Sequence, residues 1–504
     1  MRARTVEQGK LMAIWDKISS LAKNLLGDGQ PQKVNLSKIS EEVCRPKGIE
    51  SNLGNRIERK DLNIQDIEIL PEYEFLLKAI EEKCPAIFVT GRAGTGKSTL
   101  IRFLTSNIKR SAVIAPTAIA AINVGGSTIH SFFGIPHRAV NPDESFSPRN
   151  YMIPVVENLD TLIIDEISMV APDLIDCISN SLIKVRGDSS PFGGVPVVFV
   201  GALLQLPPVV ADDDVAIYYT HRYESPYFFS ADVFKKVDIL PIELRKVFRQ
   251  KDMQFIEALD RIRTNTSHRD SVALLNRACY RDRQENVSPS LYLVPTNAAA
   301  KSINTEKLDS LDPKLVTYDA IIEGNLRIGK TRLPAPDRLQ LKEGARVIFL
   351  KNNKPMWLNG TLGEIMNLEA DTIKVKILET GNIVCVSRES WKKIRYRYNY
   401  ESRTIDSEAT GSFTQFPLSL GWAITIHKSQ GMTLDSVRID LGRGAFCSGQ
   451  TYVALSRCRS LEGITLDKPI SMGDVKADST IVNFYRKLGF LRDNSDAQQS
   501  AGPT

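Results

Sequence analysis

The sequence predicts an α/β fold with two doubly wound parallel sheets, and three observations carry that expectation. Between residues 85 and 200, the apolar runs AIFVT, SAVIAPT, TLIIDE and VPVVFVG alternate with helical stretches and end at Gly, Pro or Asp. A strand covered on both faces reads as such a continuous run, because neither face meets water. A second series, LYLVPTN, SVRIDLG and GITLDKP, repeats the pattern further along. Third, the octet GRAGTGKS (Gly91 to Ser98) stands between the first run and the helical stretch STLIRFLTSNI, at the carboxyl end of a strand, where such sheets bind ligands.

Taken in order, residues 1–65 form a helical extension, with Leu11, Ile14, Trp15, Ile18, Leu21 and Leu25 at helical period before the polar stretch GDGQPQKVN. Its later part, RPKGIESNLGNRIERK, is basic and suits either a solvated connector or a nucleic-acid contact. The first α/β domain is expected over residues 66–240 and the second over 241–344 and 411–485. Between the halves of the second, residues 345–410 hold short alternating runs (ARVIFLKNN, TLGEIMNL, TIKVKILE, NIVCVS) that suit an inserted small antiparallel β-barrel. Residues 486–504, ending in SDAQQSAGPT, read as a disordered polar tail.

Composition narrows the function classes. A chain of 504 residues exceeds one ordinary core and asks for three or more domains. An apolar share of 42% and a charged share of 25% are those of soluble globular proteins, and no window approaches a membrane span. The start, MRARTVEQGKLMAIWDKISS, lacks the apolar stretch of a secretory signal, so the expected place is off the membrane, cytoplasmic or nucleoid-associated in a bacterium, with the nucleus and mitochondrion left open. Seven cysteines without a CxxC pair and five histidines without ligand spacing argue against a zinc module, an iron–sulfur cluster or a disulfide framework. The net charge of +6 is small for this length, so contact with a polyanion must rest on local placement.

The octet fits the P-loop pattern. Gly91, Gly94 and Gly96 let backbone N–H groups, with those of Thr95, Ser98 and Thr99 beside them, wrap phosphates at a helix amino terminus. Lys97 then reaches the β and γ oxygens of ATP, and Ser98 is placed to ligate Mg2+. About 70 residues on, the strand LIIDE ends in Asp165 and Glu166. Beside a phosphate site, one of these carboxylates would hold magnesium and the other orient or deprotonate the attacking water.

These segments together resemble the Pif (petite integration frequency) helicase family of superfamily one. The matching stretches are GRAGTGKST at 91–99, APTAIAAINVGGSTIHSFFG at 115–134, IIDEISMV at 163–170, PFGGVPVVFVG followed by QLPPV, LRKVFRQ at 244–250, AITIHKSQGMTLD at 423–435 and QTYVALSRCRS at 450–460. The resemblance covers roughly residues 70–485 and implies two RecA-like domains with ATP between them. It also implies an ATP-dependent DNA helicase moving five-prime to three-prime on single-stranded DNA, as a monomer, at forked or structured DNA. The biological settings implied are replication, repair, recombination and telomere maintenance.

Residue by residue, the resemblance makes Gln205 the group that senses the γ-phosphate or the attacking water, and Arg249 and Arg457 the arginines that close over the phosphates from the second domain. It points to Thr117, His130, Ser131 and Phe132 in the first domain and His427, Lys428 and Ser429 in the second as DNA contacts, with Phe132 or the histidines stacking on bases. Residues 135–152 (IPHRAVNPDESFSPRNYM) stand where the family has its strand-separating wedge, although their composition equally suits a flexible loop. Where the family reads Gly-Asp before QLPPV, this chain has Gly201-Ala202, and LPEYEFLLKAIEEK upstream of the P-loop holds no glutamine for adenine. The missing acid keeps a rival open, a DNA-binding factor that binds ATP but turns it over poorly; an RNA helicase is a third reading.

Overall fold

The computed structural model describes residues 68–491 apart from 137, 145, 209–212, 251, 267, 281–290, 325–332 and 354–355. The predicted extension at 1–65 lies outside the described residues, as does the tail beyond 491. The first domain comprises α1 (Pro71–Glu81), β1 (Ala86–Gly91), α2 (Lys97–Asn107), β2 (Ser111–Ala115), α3 (Ala118–Asn123), β3 (Ser127–Thr128), α4 (Ile129–Phe133), α5 (Ile153–Glu157), β4 (Thr161–Ile164), α6 (Pro172–Arg186), β5 (Val197–Val200), α7 (Asp213–Tyr223) and β6 (Leu240–Leu244). Its six strands are all parallel, in the order β3-β2-β4-β5-β1-β6.

The four apolar runs are β1, β2, β4 and β5, and every residue in them is buried. Alternation within the runs supplies two cores. Ile87, Val89, Val113, Ile163, Val198 and Val200 face α1 and α2, whereas Phe88, Ile114, Leu162, Ile164 and Phe199 face the side covered by α6. The sixth strand escaped the sequence reading because it is LPIEL. Pro241 cannot donate to a ladder on both sides, and β6 tolerates it as the edge strand beside β1. The first sheet therefore ends after Leu244 rather than at residue 240.

The second half comprises α8 (Met253–Thr264), α9 (Arg269–Cys279), β7 (Leu291–Val294), α10 (Asn297–Asp309), β8 (Val316–Asp319), β9 (Ile321–Gly324), β10 (Arg338–Leu341), β11 (Arg346–Phe349), β12 (Leu362–Leu368), β13 (Thr372–Ile377), β14 (Ile383–Ser387), β15 (Glu389–Asn399), β16 (Thr404–Gln415), β17 (Leu418–Leu420), β18 (Ala423–Thr425), β19 (Val437–Ile439), α11 (Gln450–Leu455), β20 (Ile464–Leu466) and α12 (Ser479–Lys487). The second parallel sheet has the order β18-β7-β19-β20 and includes all three runs of the second series. An antiparallel sheet, β14-β13-β12-β11-β17, interrupts it around a core of Val347, Phe349, Trp357, Ile365, Val375 and Val386. Among the described residues β14 and β17 remain its two ends, so strand pairing does not close it into a barrel.

Two boundaries differ from expectation. The β15–β16 hairpin leaves that sheet, pairs with β9 and lays Tyr396, Tyr398 and Ile405 into the core of the first domain. The second parallel sheet therefore resumes at Ala423, not at 411. At the other end, α12 runs to Lys487, and Ile481, Val482 and Tyr485 join the first-domain core with Phe490 and Leu491 packed beside them. Residues 486–491 are thus part of the folded body, and α12 ties the end of the second domain back onto the first. Among the described residues no helix is long and apolar enough to cross a membrane.

Candidate nucleotide site and nucleic-acid face

Strand β1 delivers the octet directly onto α2. Gly94 and Gly96 sit at φ 79° and 90°, a left-handed backbone that favours glycine. Space is as demanding as conformation. A Cβ on Gly94 would lie 2.5 Å from Arg249 Cβ, and one on Gly91 2.6 Å from Thr95 Oγ1. Thr95 is wholly buried and donates its hydroxyl to Arg92 O, so its side chain shapes the loop. Lys97 Nζ donates to the carbonyls of Gly91 at 2.9 Å and Arg92 at 3.0 Å. Burial lowers its pKa to about 8, against the pull of Glu166 and Asp165.

Asp165 and Glu166 follow β4. Burial, then the neighbouring Glu166 carboxylate, pushes Asp165 up to about 7. Glu166 is also raised by burial, with Lys97 and Arg457 favouring its charged form. Glu166 holds φ 50°, a left-handed turn costing a non-glycine residue about 1 to 3 kcal/mol, a strain that clusters at functional sites. Two buried carboxylates held toward their neutral forms are a donor set that a divalent cation would ionise. Among the described residues no three acidic, His or Cys side chains cluster for a metal.

From the second half, the segment between β6 and α8 lies over the P-loop: Phe248 N donates to Gly94 O, and Arg249 Nη1 donates to Ser456 O at 3.2 Å. Arg457 is 1% exposed, and its guanidinium donates to Val453 O, Ser429 O, Met432 O and Ser456 Oγ. Burial, then repulsion from Arg249, lowers its pKa to about 9. Gln205 is buried on the loop after β5, and Gly449 is pressed so closely upon it that an added Cβ would meet Gln205 O. The position before this loop, Ala202, is buried and offers no carboxylate.

Lys97, Asp165, Glu166, Gln205, Arg249 and Arg457 thus lie near one another. One residue that the sequence reading missed lies among them. Gln430 Nε2 donates to Glu166 Oε2 at 3.3 Å and to Gln205 Oε1 at 3.2 Å, joining the two halves at the carboxylate itself. It lay inside the quoted stretch 423–435, where only the three residues before it were singled out. Tyr452, whose hydroxyl accepts from Ala93 N, and Gln250, which donates to Ser456 O and Cys458 O, are further cross-links without a motif signal of their own.

The expected DNA contacts divide. His427 and Lys428 are exposed, and His427 lies nearly parallel to the exposed ring of Phe446, 6.4 Å away. Ser131 and His130 are half-buried on α4, and Thr117 caps α3 by accepting from Ala120 N. Two assignments do not survive. Phe132 is 1% exposed and packs on Phe133 and Tyr396, so it cannot stack on a base; its place in the i, i+3 pattern of Ile129 made it a core residue. Ser429 is wholly buried and donates to Ile426 O, which removes its hydroxyl from the surface. The loop 135–152 is also less free than its composition suggests, because Ile135, Val140 and Met152 are buried and Val140 N donates to Asp173. Its polar tip, with the Arg138–Glu144 ion pair, is exposed.

The comparisons with known proteins agree with this geometry. The profile of the PIF1-like helicase family matches residues 72–268. The human ATP-dependent DNA helicase PIF1 is 32% identical over 86% of this chain, which spans 66% of that protein's length. ATP-dependent DNA helicase Pif1 of Bdellovibrio bacteriovorus is 31% identical over 84% of this chain and 93% of its own length. The crystal structure of Bacteroides sp Pif1 in complex with ADP-AlF4 superposes with a TM-score of 0.77 at 36% identity, covering 84% of this chain and 98% of that one. With ordered motifs, fold and relatives above 30% identity over most of this chain in accord, the chain belongs to the PIF1-like helicase family.

Proposed function

We propose that this protein is an ATP-dependent DNA helicase that translocates five-prime to three-prime on single-stranded DNA and opens forked or structured duplexes as a monomer, in replication, repair, recombination or telomere maintenance. The observation that carries the reading is the convergence on one cleft of Lys97, Asp165, Glu166 and Gln205 from the first domain with Arg249, Arg457 and Gln430 from the second. Such a site is complete only when both halves meet, which is what turns a hydrolysis cycle into relative domain movement.

Within it, the amides of residues 94–99 and Lys97 would hold the phosphates, and Ser98 with Asp165 would hold Mg2+, which would supply charge neutralisation for phosphoryl transfer. Glu166 accepts a proton from the attacking water, Gln205 orients that water, and Arg249 and Arg457 stabilise the charge of transfer from across the cleft. Thr117, His130, Ser131, His427 and Lys428 line the path of the strand, where contacts to phosphates and base faces carry no sequence preference. The antiparallel sheet around Trp357 acts as the small barrel-like insert, and the tip of the 135–152 loop as the wedge.

The test is DNA-stimulated ATPase and unwinding of five-prime-tailed against three-prime-tailed duplexes. Stimulated turnover is expected with either tail, since both are single-stranded, and unwinding only with DNA carrying a five-prime tail. Lys97→Ala is expected to lose both while binding single-stranded DNA nearly as tightly as the parent. Equal unwinding of both substrates would overturn the polarity, and ATP binding without turnover would favour the remodelling factor to which Ala202 points.

A further inference from the structure

The helix α12 reaches the back of the strands that carry the nucleotide site. Tyr485 on α12 is buried among Phe88, Phe484 and Phe490, and its hydroxyl oxygen lies 2.6 Å from Thr90 Oγ1 and accepts from Leu203 N at 3.3 Å. Thr90 is the residue before Gly91 of the P-loop, and Leu203 stands two residues before Gln205. One hydroxyl therefore bridges the carboxyl ends of β1 and β5, from which the phosphate-binding loop and the Gln205 loop depart. The helix that carries it is anchored independently: Asp478 caps its amino end through Thr480 N and accepts from Tyr227 Oη at 2.7 Å, and Phe484 stacks on Phe229 at 4.0 Å.

We propose that Tyr485 is a positioning residue for ATP hydrolysis, setting the Gln205 loop against the P-loop through its hydrogen bonds to Leu203 and Thr90. The proposal rests on the reading of Gln205 as the group that orients the attacking water. Ala202 is part of the same argument. A carboxylate there would hold the loop by bonding backbone N–H groups, an alanine holds nothing, and the amide of the very next residue is held by Tyr485 instead. A hydroxyl removed from a buried site leaves the loop free to drift, and a displacement of about 1 Å in a group that orients a reactant costs up to about 100-fold in rate.

The experiment is Tyr485→Phe, alone and combined with Gln205→Ala, in the full chain. The phenyl ring keeps the packing against Phe88 and Phe484, so a thermal melt close to the parent's is expected. DNA-stimulated kcat should fall about 10-fold or more, with the KM for ATP and the Kd for single-stranded DNA within about twofold of the parent. Because the hydroxyl acts through the Gln205 loop, adding Tyr485→Phe to Gln205→Ala should cost nothing further. A slow Gln205→Ala beside a Tyr485→Phe of unchanged kcat would overturn the inference alone, as would losses that multiply in the double variant. A Gln205→Ala with full kcat would overturn the reading of Gln205 and this inference with it.

Discussion

Arg249 and Arg457 carry the same expected role by quite different means. Arg249 is half-buried on a loop, with one donor engaged at Ser456 O. Arg457 is a structural member of the second domain, its guanidinium spread over three carbonyls and a hydroxyl in the turns after β18 and α11. Truncating it removes the hydrogen bond to Met432 O and empties a buried site, a cost of about 1 to 3 kcal/mol, while Ser429 O keeps Met432 N and Val453 O keeps Ser456 Oγ. Arg457→Ala is therefore expected to lower both the melting temperature and DNA-stimulated ATPase. Arg249→Ala should lower ATPase by about 10³-fold with little change in the melt. Thermal unfolding beside steady-state kinetics on the two variants separates them; equal melting losses would place Arg249 in the fold and not over the phosphates. At this scale the sequence was readable where a side chain's chemistry is fixed by its neighbours in the chain, as for Lys97 or Asp165. It was unreadable where burial decides, as for Phe132 and Ser429, because exposure depends on what packs against a short helix or turn from elsewhere.

At the scale of elements, periodicity found the long apolar runs and the alternating strands β12, β13 and β14, and missed β6, β15 and β18, the last of which is only three residues long although buried throughout. β6 carries Pro241 on an edge, and β15 reads ESWKKIRYRYN, whose basic residues hide the fact that Tyr396 and Tyr398 are inserted into another domain. That hairpin is held by more than apolar contact. Tyr396 Oη accepts from Val113 N at 3.1 Å and lies 3.2 Å from Val113 O, its ring meets Phe132 edge-on, and Arg395 lies 4.3 Å over the ring of Tyr151. Tyr396→Phe keeps the ring and removes both polar contacts to a buried strand, a loss of about 1 to 3 kcal/mol. The hairpin of that variant is expected to open more readily, seen as faster amide hydrogen exchange in residues 389–415 with the exchange of β1 and β5 unchanged. Unaltered exchange in the hairpin would mean that the aromatic packing alone holds it.

The whole molecule is a closed circuit. The chain leaves the first domain after β6, crosses the P-loop at Arg249, builds the second domain and returns through α12 to the back of β1 and β5. Within this circuit, the turn from His427 to Gly431 joins the proposed DNA path to the nucleotide cleft. His427 and Lys428 face solvent on the proposed DNA path, while Gln430, two residues on, bonds Glu166 and Gln205 across the cleft. A shift of this turn when a strand binds must move Gln430, and Gln430 touches both groups that would handle the attacking water. Coupling of this kind is a difference in contacts between two states, with typical size of about 1 to 3 kcal/mol, or 5- to 150-fold. Gln430→Ala is accordingly expected to lower DNA-stimulated ATPase more than basal ATPase, reducing their ratio by about 5-fold or more, while affinity for single-stranded DNA stays near that of the parent. The measurement is ATPase with and without saturating single-stranded DNA, beside a direct binding titration. If basal and stimulated rates fall together, Gln430 belongs to the hydrolytic machinery itself; if neither moves, the link between DNA and nucleotide runs through another part of the circuit, with the Gly449 contact on Gln205 as the next to break.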